Sequence, residues 1–243
     1  MNLRLTIAYD GTNYQGWQMQ ANAKTVQGEL TAALTPLDGE PVVVHGAGRT
    51  DAGVHALGQV ASVRLTRTRP PAEVLGALNG SLSREIRVLS AEEVSEEFNA
   101  RFDAKGKTYR YQIYNASVMN PLLERYAFHY PFELNDEAIS HEATSLIGKH
   151  DFSAFTVTGR DVTSRVRSLF AFSLKRKGPL LRFEFSGDGF LRYQVRTMVV
   201  ALLDTTRGRL GSLTIADLLK SGDRGLTGMM VPAKGLTLMK VEY

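Results

Sequence analysis

Leu3, Leu5, Ile7 and Tyr9 alternate with Asn2, Arg4, Thr6 and Ala8, the period of two that predicts a strand with one buried face. Asp10-Gly11-Thr12-Asn13 closes it as a turn, and Val26, Leu30, Ala33, Leu34 and Leu37 then recur at helical spacing. Val42, Val43 and Val44, followed later by the alternating Ala61, Val63 and Leu65, predict two strands on either side of a glycine-punctuated loop. Pro71 opens a second helix whose apolar stripe is Val74, Leu75, Leu78 and Leu82, and Ile86 to Leu89 reads as a fourth strand. The order strand, helix, two strands, helix, strand suits a mainly antiparallel sheet covered by helices on one face, close to a split βαβ pattern.

The acidic stretch Ala91 to Glu97 reads as a solvated connector, and a boundary is placed near Ala104. Beyond it Tyr109, Tyr111 and Ile113 alternate as a strand. Asn135 caps a helix with Ile139, Ala143, Leu146 and Ile147 inward and Gly148 as its stop. Phe170, Phe172 and Leu174 predict one strand, and Leu181, Phe183 and Phe185 the next. A helix from about Phe190 to Thr205 follows, then a short one opened by Thr214, and Thr237, Met239, Val241 and Tyr243 alternate in a closing strand. The expectation is an α+β protein of two α/β subdomains with mainly antiparallel sheets flanked by helices, divided as 1–104 and 105–243.

Composition narrows the chemistry more than the fold. At 243 residues, with 43% apolar and 22% charged residues, the chain is an ordinary globular protein. Its net charge of +4 is compatible with a polyanionic partner, and Glu92, Glu93, Glu96 and Glu97 concentrate negative charge in one segment and leave the remainder more basic than the total. The absence of cysteine excludes disulfides, thiolate nucleophiles and cysteine-bound metal, and makes the cytoplasm the default compartment. The apolar run from Met198 to Leu203 is far short of the ~20 residues a bilayer demands, and a strand at the amino terminus predicts no signal peptide. No phosphate loop, dinucleotide fingerprint or metal-ligand spacing is found, so neither cofactor nor metal is expected.

One carboxylate stands out. Gly48-Arg49-Thr50-Asp51-Ala52-Gly53-Val54-His55-Ala56 places Asp51 in a loop whose glycines let a substrate approach the backbone. In a locally extended segment Arg49 and Asp51 project to the same side, where the cation would hold the carboxylate ionised. Loop aspartates also close turns, and Asp51 read by itself is compatible with that structural role. Tyr109 equally suits a strand core. Arg192 and Arg196, four apart, suit one exposed helix face. His55, without a matched carboxylate or second ligand, reads as structural. Arg64, Arg67 and Arg69, then Lys105 and Lys107, then Lys175 to Lys177 are either solvated charge or a phosphate track.

The loop resembles, over nine consecutive residues, the signature of the tRNA pseudouridine synthase A family. The resemblance extends along nearly the whole chain: Tyr9-Asp10-Gly11-Thr12 with Tyr14, Gly16 and Trp17, then Lys107-Thr108-Tyr109-Arg110-Tyr111. It continues through His150-Asp151-Phe152-Ser153-Ala154-Phe155, Phe190-Leu191 with Val195-Arg196, and Gly235-Leu236. It implies the pseudouridine synthase fold with a central basic cleft, and a cofactor-free isomerase that converts uridine to pseudouridine in the anticodon stem-loop of tRNA, at expected positions 38, 39 and 40. Asp51 is implied as the catalytic acid, acting on a flipped nucleotide by attack at C1′, addition to the ring or elimination. Tyr109 would stack on uracil and take part in proton transfer at C5. Arg196 would pair with Asp51, and Arg49 would contact phosphate or the flipped base. A homodimer sharing one tRNA is implied, with no membrane partner. The sequence departs from the family pattern at Arg192-Tyr193-Gln194 and at Val231-Pro232-Ala233-Lys234, the latter read as drift in packing. The rivals are an idle RNA-binding protein of the same fold, which predicts loss of Asp51, Tyr109 or Arg196, and a nucleosidase, which lacks a second carboxylate at an interpretable spacing.

Overall fold

The computed structural model describes residues 1–157 and 164–243, which form two compact units. In the first, β1 (Asn2–Tyr9) lies between β3 (His55–Arg64) and β4 (Ile86–Val94), antiparallel to both, and β2 (Val44–Gly46) pairs antiparallel with β3. Helices α1 (Val26–Asp38) and α2 (Pro71–Ser81) touch each other, α1 contacting β2 and α2 contacting β4. Leu3, Leu5 and Ile7 of β1 are fully buried, as are Leu30 and Leu34 of α1 and Leu78 of α2, while Arg4, Thr6 and Ala8 stay half-buried. That alternation is the one predicted from residue 3 onward, whereas Asn2, expected on the polar face, is buried and donates to Ser95 O and Phe98 O.

β4 runs on through the acidic stretch to Val94, correcting the expected connector. Its backbone pairs with β1 as Leu3↔Glu93 and Arg4↔Glu92, and Arg4 Nη2 meets Glu92 Oε2 at 2.6 Å. Glutamates are compatible with a strand when it is an outer one, where charge faces water.

The helices are held by their ends. Thr25 caps α1 through its side chain, and Gly39 at φ 85° stops it. The last residue of α1, Asp38, accepts Thr66 N at 2.8 Å, Arg67 N at 3.0 Å and Thr66 Oγ1 at 3.0 Å, which fastens the exit of β3 to the helix.

The second unit is built on β5 (Gly106–Tyr114), which pairs in parallel with the short β6 (Phe128–His129). Helix α3 (Asp136–Ala143) is capped by Asn135 as expected but ends before Leu146 and Ile147; Ile147 is exposed rather than inward, and Gly148 opens β7 (Gly148–Asp151) rather than stopping the helix. Strands β8 (Val166–Lys177) and β9 (Leu180–Gly187) complete the sheet in the order β5-β9-β8-β7, each pair antiparallel. β6 and β7 have no signature in the sequence because two and four residues are too few to show a period. A bulge in β8 between Leu169 and Ala171 shifts the pleat, so Leu169 is buried and Phe170 is exposed, against the expectation that Phe170 faces inward.

Helix α4 (Gln194–Thr205) contacts α3, β5 and α5 (Ile215–Ser221), and Val195, Met198, Val199, Ala201, Leu202 and Leu203 are all buried. With Gln194, Thr197 and Asp204 buried as well, α4 is an interior helix. Thr214 and Asp217 form a reciprocal capping box at α5.

The closing strand β10 (Leu236–Glu242) pairs in parallel with β3, Thr237 opposite His55. The units are therefore discontinuous in sequence: residues 1–105 with 237–243, and residues 106–236. A linear division at residue 104 puts β10 with the second half, whereas residues 237–243 cluster with the first unit, in which β10 pairs with β3. Val241 and Tyr243 pack beside Ala47, Val60 and Ala100. Among the described residues no helix is long and apolar enough to cross a membrane.

Burial pushes the Asp38 carboxyl up, but the hydrogen bonds from Arg67 and Thr66 together outweigh it and leave it below the usual carboxylate range. A depressed folded-state value stabilises at pH above the unfolded one. Asp38→Ala is expected to lower unfolding free energy by about 2 kcal/mol at pH 7. The difference should shrink as pH falls below about 4 and vanish once Asp38 is protonated in the folded protein, read by urea titrations across pH.

Candidate active site

The Asp51 loop joins β2 to β3 and is held on every side by partners distant in sequence. Ala47 N donates to Val60 O at 2.7 Å, and Gln59 Nε2 donates to Gly48 O at 2.9 Å. Buried Thr50 is bound twice: its hydroxyl lies 2.8 Å from Tyr9 Oη, and its carbonyl accepts Trp17 N at 3.1 Å. Gly53, at φ 76°, donates to Tyr14 O at 3.3 Å, and Val54 N donates back to Asp51 O at 3.1 Å. Asp51 itself is half-buried. A carboxylate on a turn with both flanks pinned keeps its direction.

The partners of that loop come from Tyr9 through Trp17. Burial raises the Tyr9 phenol to about 12, against the smaller lowering influence of its bonds to Thr50 and Gln59, so it stays neutral as a hydrogen-bonding post. Close approach dictates the glycines. A Cβ on Gly11 would overlap the Val54 carbonyl, one on Gly46 would come within 2.5 Å of the Trp17 ring, and one on Gly16, at φ 90°, within 2.6 Å of Thr50 O. His55 is buried; its Nδ1 accepts Gly11 N at 3.1 Å and also lies 3.1 Å from Asp10 Oδ1, so it does have a carboxylate beside it, against the expectation from the sequence.

Arg49 is exposed, and its Nε donates to Gln18 Oε1 at 3.2 Å. Residues 47–50 follow an irregular path and form no strand.

Tyr109 and Arg196 belong to the second unit. Tyr109 lies on β5 opposite Phe185, is buried, and meets the Phe190 ring edge-on at 5.2 Å and 83°. Tyr111 shares its face, and its hydroxyl donates to Pro232 O at 2.8 Å. Burial pushes the Tyr111 phenol well up, with the nearby Arg196 charge opposing. Gly235 is required beside it: a Cβ there would stand 2.7 Å from Tyr111 Cζ.

Arg196 lies in the first turn of α4, and its Nε donates to Val231 O at 2.8 Å. Helix α4 starts at Gln194 rather than near Phe190, because Tyr193 takes φ 65°, ψ 0° and Gln194 Oε1 turns back to accept Leu191 N at 2.8 Å. Arg192 therefore precedes the helix and does not share its face with Arg196. A left-handed tyrosine costs about 1–3 kcal/mol.

The Val231-Pro232 segment, expected to be drift in packing, supplies the two carbonyls that hold Arg196 and Tyr111. Of the basic clusters, Arg176 binds Asp136 through two contacts of 2.6 Å and Arg69 Nε donates to Leu37 O at 3.2 Å, so both serve the fold. Lys175 and Lys177 stand exposed on β8. Tyr9, Thr50, Gln59, Val231 and Tyr193 escaped assignment of a site role from sequence, although Tyr9 and Thr50 lie in motifs quoted above and Tyr193 and Val231 in the departures from them.

A family model described as tRNA pseudouridine synthase matches residues 5–103 and 143–243. Curated proteins called tRNA pseudouridine synthase A are similar end to end. That of Acetivibrio thermocellus is 42% identical, covering 100% of this chain and 99% of its own. That of Moorella thermoacetica is 44% identical and that of Geotalea uraniireducens 39%, each covering 99% of both chains.

Gly16→Ala is expected to destabilise the protein by about 1–3 kcal/mol, since both the backbone angle and the Thr50 carbonyl oppose a methyl group. Amide exchange at Trp17 should quicken, because that N–H bonds to the displaced carbonyl. Urea unfolding and hydrogen exchange read the two effects.

Proposed function

The chain belongs to the tRNA pseudouridine synthase family and is an isomerase acting on tRNA, and on that premise we propose that Asp51 is its catalytic residue. The observation that carries this assignment is the pinned loop: Thr50 before Asp51 and Gly53 after it are both fixed to the Tyr9–Trp17 segment, leaving a half-buried carboxylate as the group presented.

Isomerisation of uridine breaks the N1–C1′ bond, turns the uracil and joins C5 to C1′, with no net gain or loss of atoms. It demands a group that stabilises or attacks an electron-poor centre and later assists loss of the C5 proton. Asp51 takes the first task. Tyr109 stacks on the uracil and assists at C5, supported by its place among Phe190 and Phe185 on a rigid strand. Arg196, tethered at Val231, supplies the positive charge that keeps a carboxylate ionised, and exposed Arg49 contacts phosphate or the flipped base.

The proposed substrate is a uridine in the anticodon stem-loop, at positions 38, 39 and 40. The protein is proposed to act in the cytoplasm as a homodimer, without a resident cofactor or metal. Flipping a paired uridine costs a few kcal/mol, about what several phosphate contacts offset.

Tritium release from 5-tritiated uridine in tRNA tests the assignment. Asp51→Asn is expected to lower kcat by at least about 10³-fold with tRNA affinity within about threefold of wild type. Full activity in the variant removes Asp51 from the reaction. A folded wild type that binds tRNA without release would instead be the idle binding protein. A second expectation is that Arg49→Ala weakens tRNA binding and lowers the slope of log K against log salt by about one, measured by filter binding at several salt concentrations.

A further inference from the structure

Tyr193 stands at φ 65°, ψ 0°, one residue ahead of α4. Among the described residues, Asn22 is the other non-glycine residue with positive φ. Asparagine tolerates that region through its short polar side chain, whereas a tyrosine Cβ crowds the following carbonyl. A glycine would start the helix here without strain. What the tyrosine adds is its ring.

That ring has an arginine from each side of the sequence. The guanidinium carbon of Arg192 is 4.6 Å from the ring centroid, and Arg192 Nη2 donates to Tyr193 Oη at 2.7 Å. The guanidinium carbon of Arg196 is 5.6 Å from the same centroid. Both distances are within cation–π range. Tyr193 O also accepts Thr197 N at 2.9 Å, so the turn that carries the ring is tied to the first turn of α4, where Arg196 sits. Arg196 Nε is directed to Val231 O at 2.8 Å. An aromatic face placed against a guanidinium restricts the rotamers of a long arginine side chain.

We infer that Tyr193 is a positioning residue of Arg196: its left-handed backbone turns the ring onto the guanidinium, and Arg192 locks the ring through its hydroxyl. The catalytic consequence rests on the role proposed above for Arg196. The positioning itself does not, because it concerns where the guanidinium is held.

Tyr193→Gly, Tyr193→Phe and Arg196→Lys, with the double variant Tyr193→Gly/Arg196→Lys, test it in the full-length protein. The Arg196 Nε–H resonance, assigned by its loss in Arg196→Lys, should shift and exchange faster with water in Tyr193→Gly as the ring is removed. Glycine suits the backbone, so the unfolding midpoint should not fall. In tritium release on tRNA, kcat of Tyr193→Gly should drop by about ten- to hundredfold with tRNA Kd within about twofold. Tyr193→Phe, which keeps the ring, should lose no more than about threefold. In the Arg196→Lys background, Tyr193→Gly should cost less than about a further twofold, since the group it positions is gone. An unmoved Arg196 Nε–H resonance in Tyr193→Gly, or losses that multiply in the double variant, overturns the inference. Failure of the catalytic role of Arg196 is distinguished from this by a fully active Arg196→Lys, in which case the resonance alone decides the positioning.

Discussion

Thr50 is bonded in two directions at once, and the geometry of the loop that carries Asp51 depends on it. Its hydroxyl meets the buried Tyr9 phenol and its carbonyl receives the Trp17 amide. Either bond alone would leave the backbone free to rotate about the other. Together they settle the peptide immediately before the carboxylate, while Gly53 bonded to Tyr14 O settles the turn after it. Much of the first unit can be understood from this requirement. Tyr9 must end a strand whose alternate residues are buried, and Gly11, Gly16 and Gly46 must leave room for carbonyls and for the Trp17 ring.

The second unit solves a similar problem with longer side chains. Arg196 and Tyr111 are each tied to a carbonyl of the Val231-Pro232 segment, and Gly235 lets that segment pass against the Tyr111 ring. Most of α4 is buried, including Val195 and Thr197 on either side of Arg196, so Arg196 starts from a packed first turn. The strain at Tyr193 is sustained by the same packing. A left-handed tyrosine would relax in a frayed helix end, but here Gln194 caps Leu191 N and Thr197 N returns to Tyr193 O.

Elements that obey one period over several residues were legible from the chain. The strand at Asn2–Tyr9, the helices at Val26–Asp38 and Pro71–Ser81 and the Asn135 and Thr214 caps follow from local alternation and local capping chemistry, whereas of the expected Val42–Val44 run only Val44 lies in β2, and β3 starts at His55 with Val60 to Val63 all buried. Where one period is broken by a single residue the expectation failed. The bulge at Leu169–Ala171 turned Phe170 outward, and the left-handed Tyr193 delayed α4. Glu92 and Glu93 read as connector because their compatibility with a strand depends on its lying at an outer position.

The sequence by itself determined the alphabet of elements, the family and the identity of Asp51, Tyr109 and Arg196 as candidates, since motif order and hydrophobic period are properties of neighbouring residues. Tertiary structure alone decided what holds them. Tyr9 meets Thr50 across 41 positions and Tyr111 meets Pro232 across 121, and β10 crosses back to pair with β3. No local pattern announces which distant carbonyl will accept a phenol or a guanidinium. That choice is made when buried polar groups, cut off from water, take the partners that the packed backbone brings within reach.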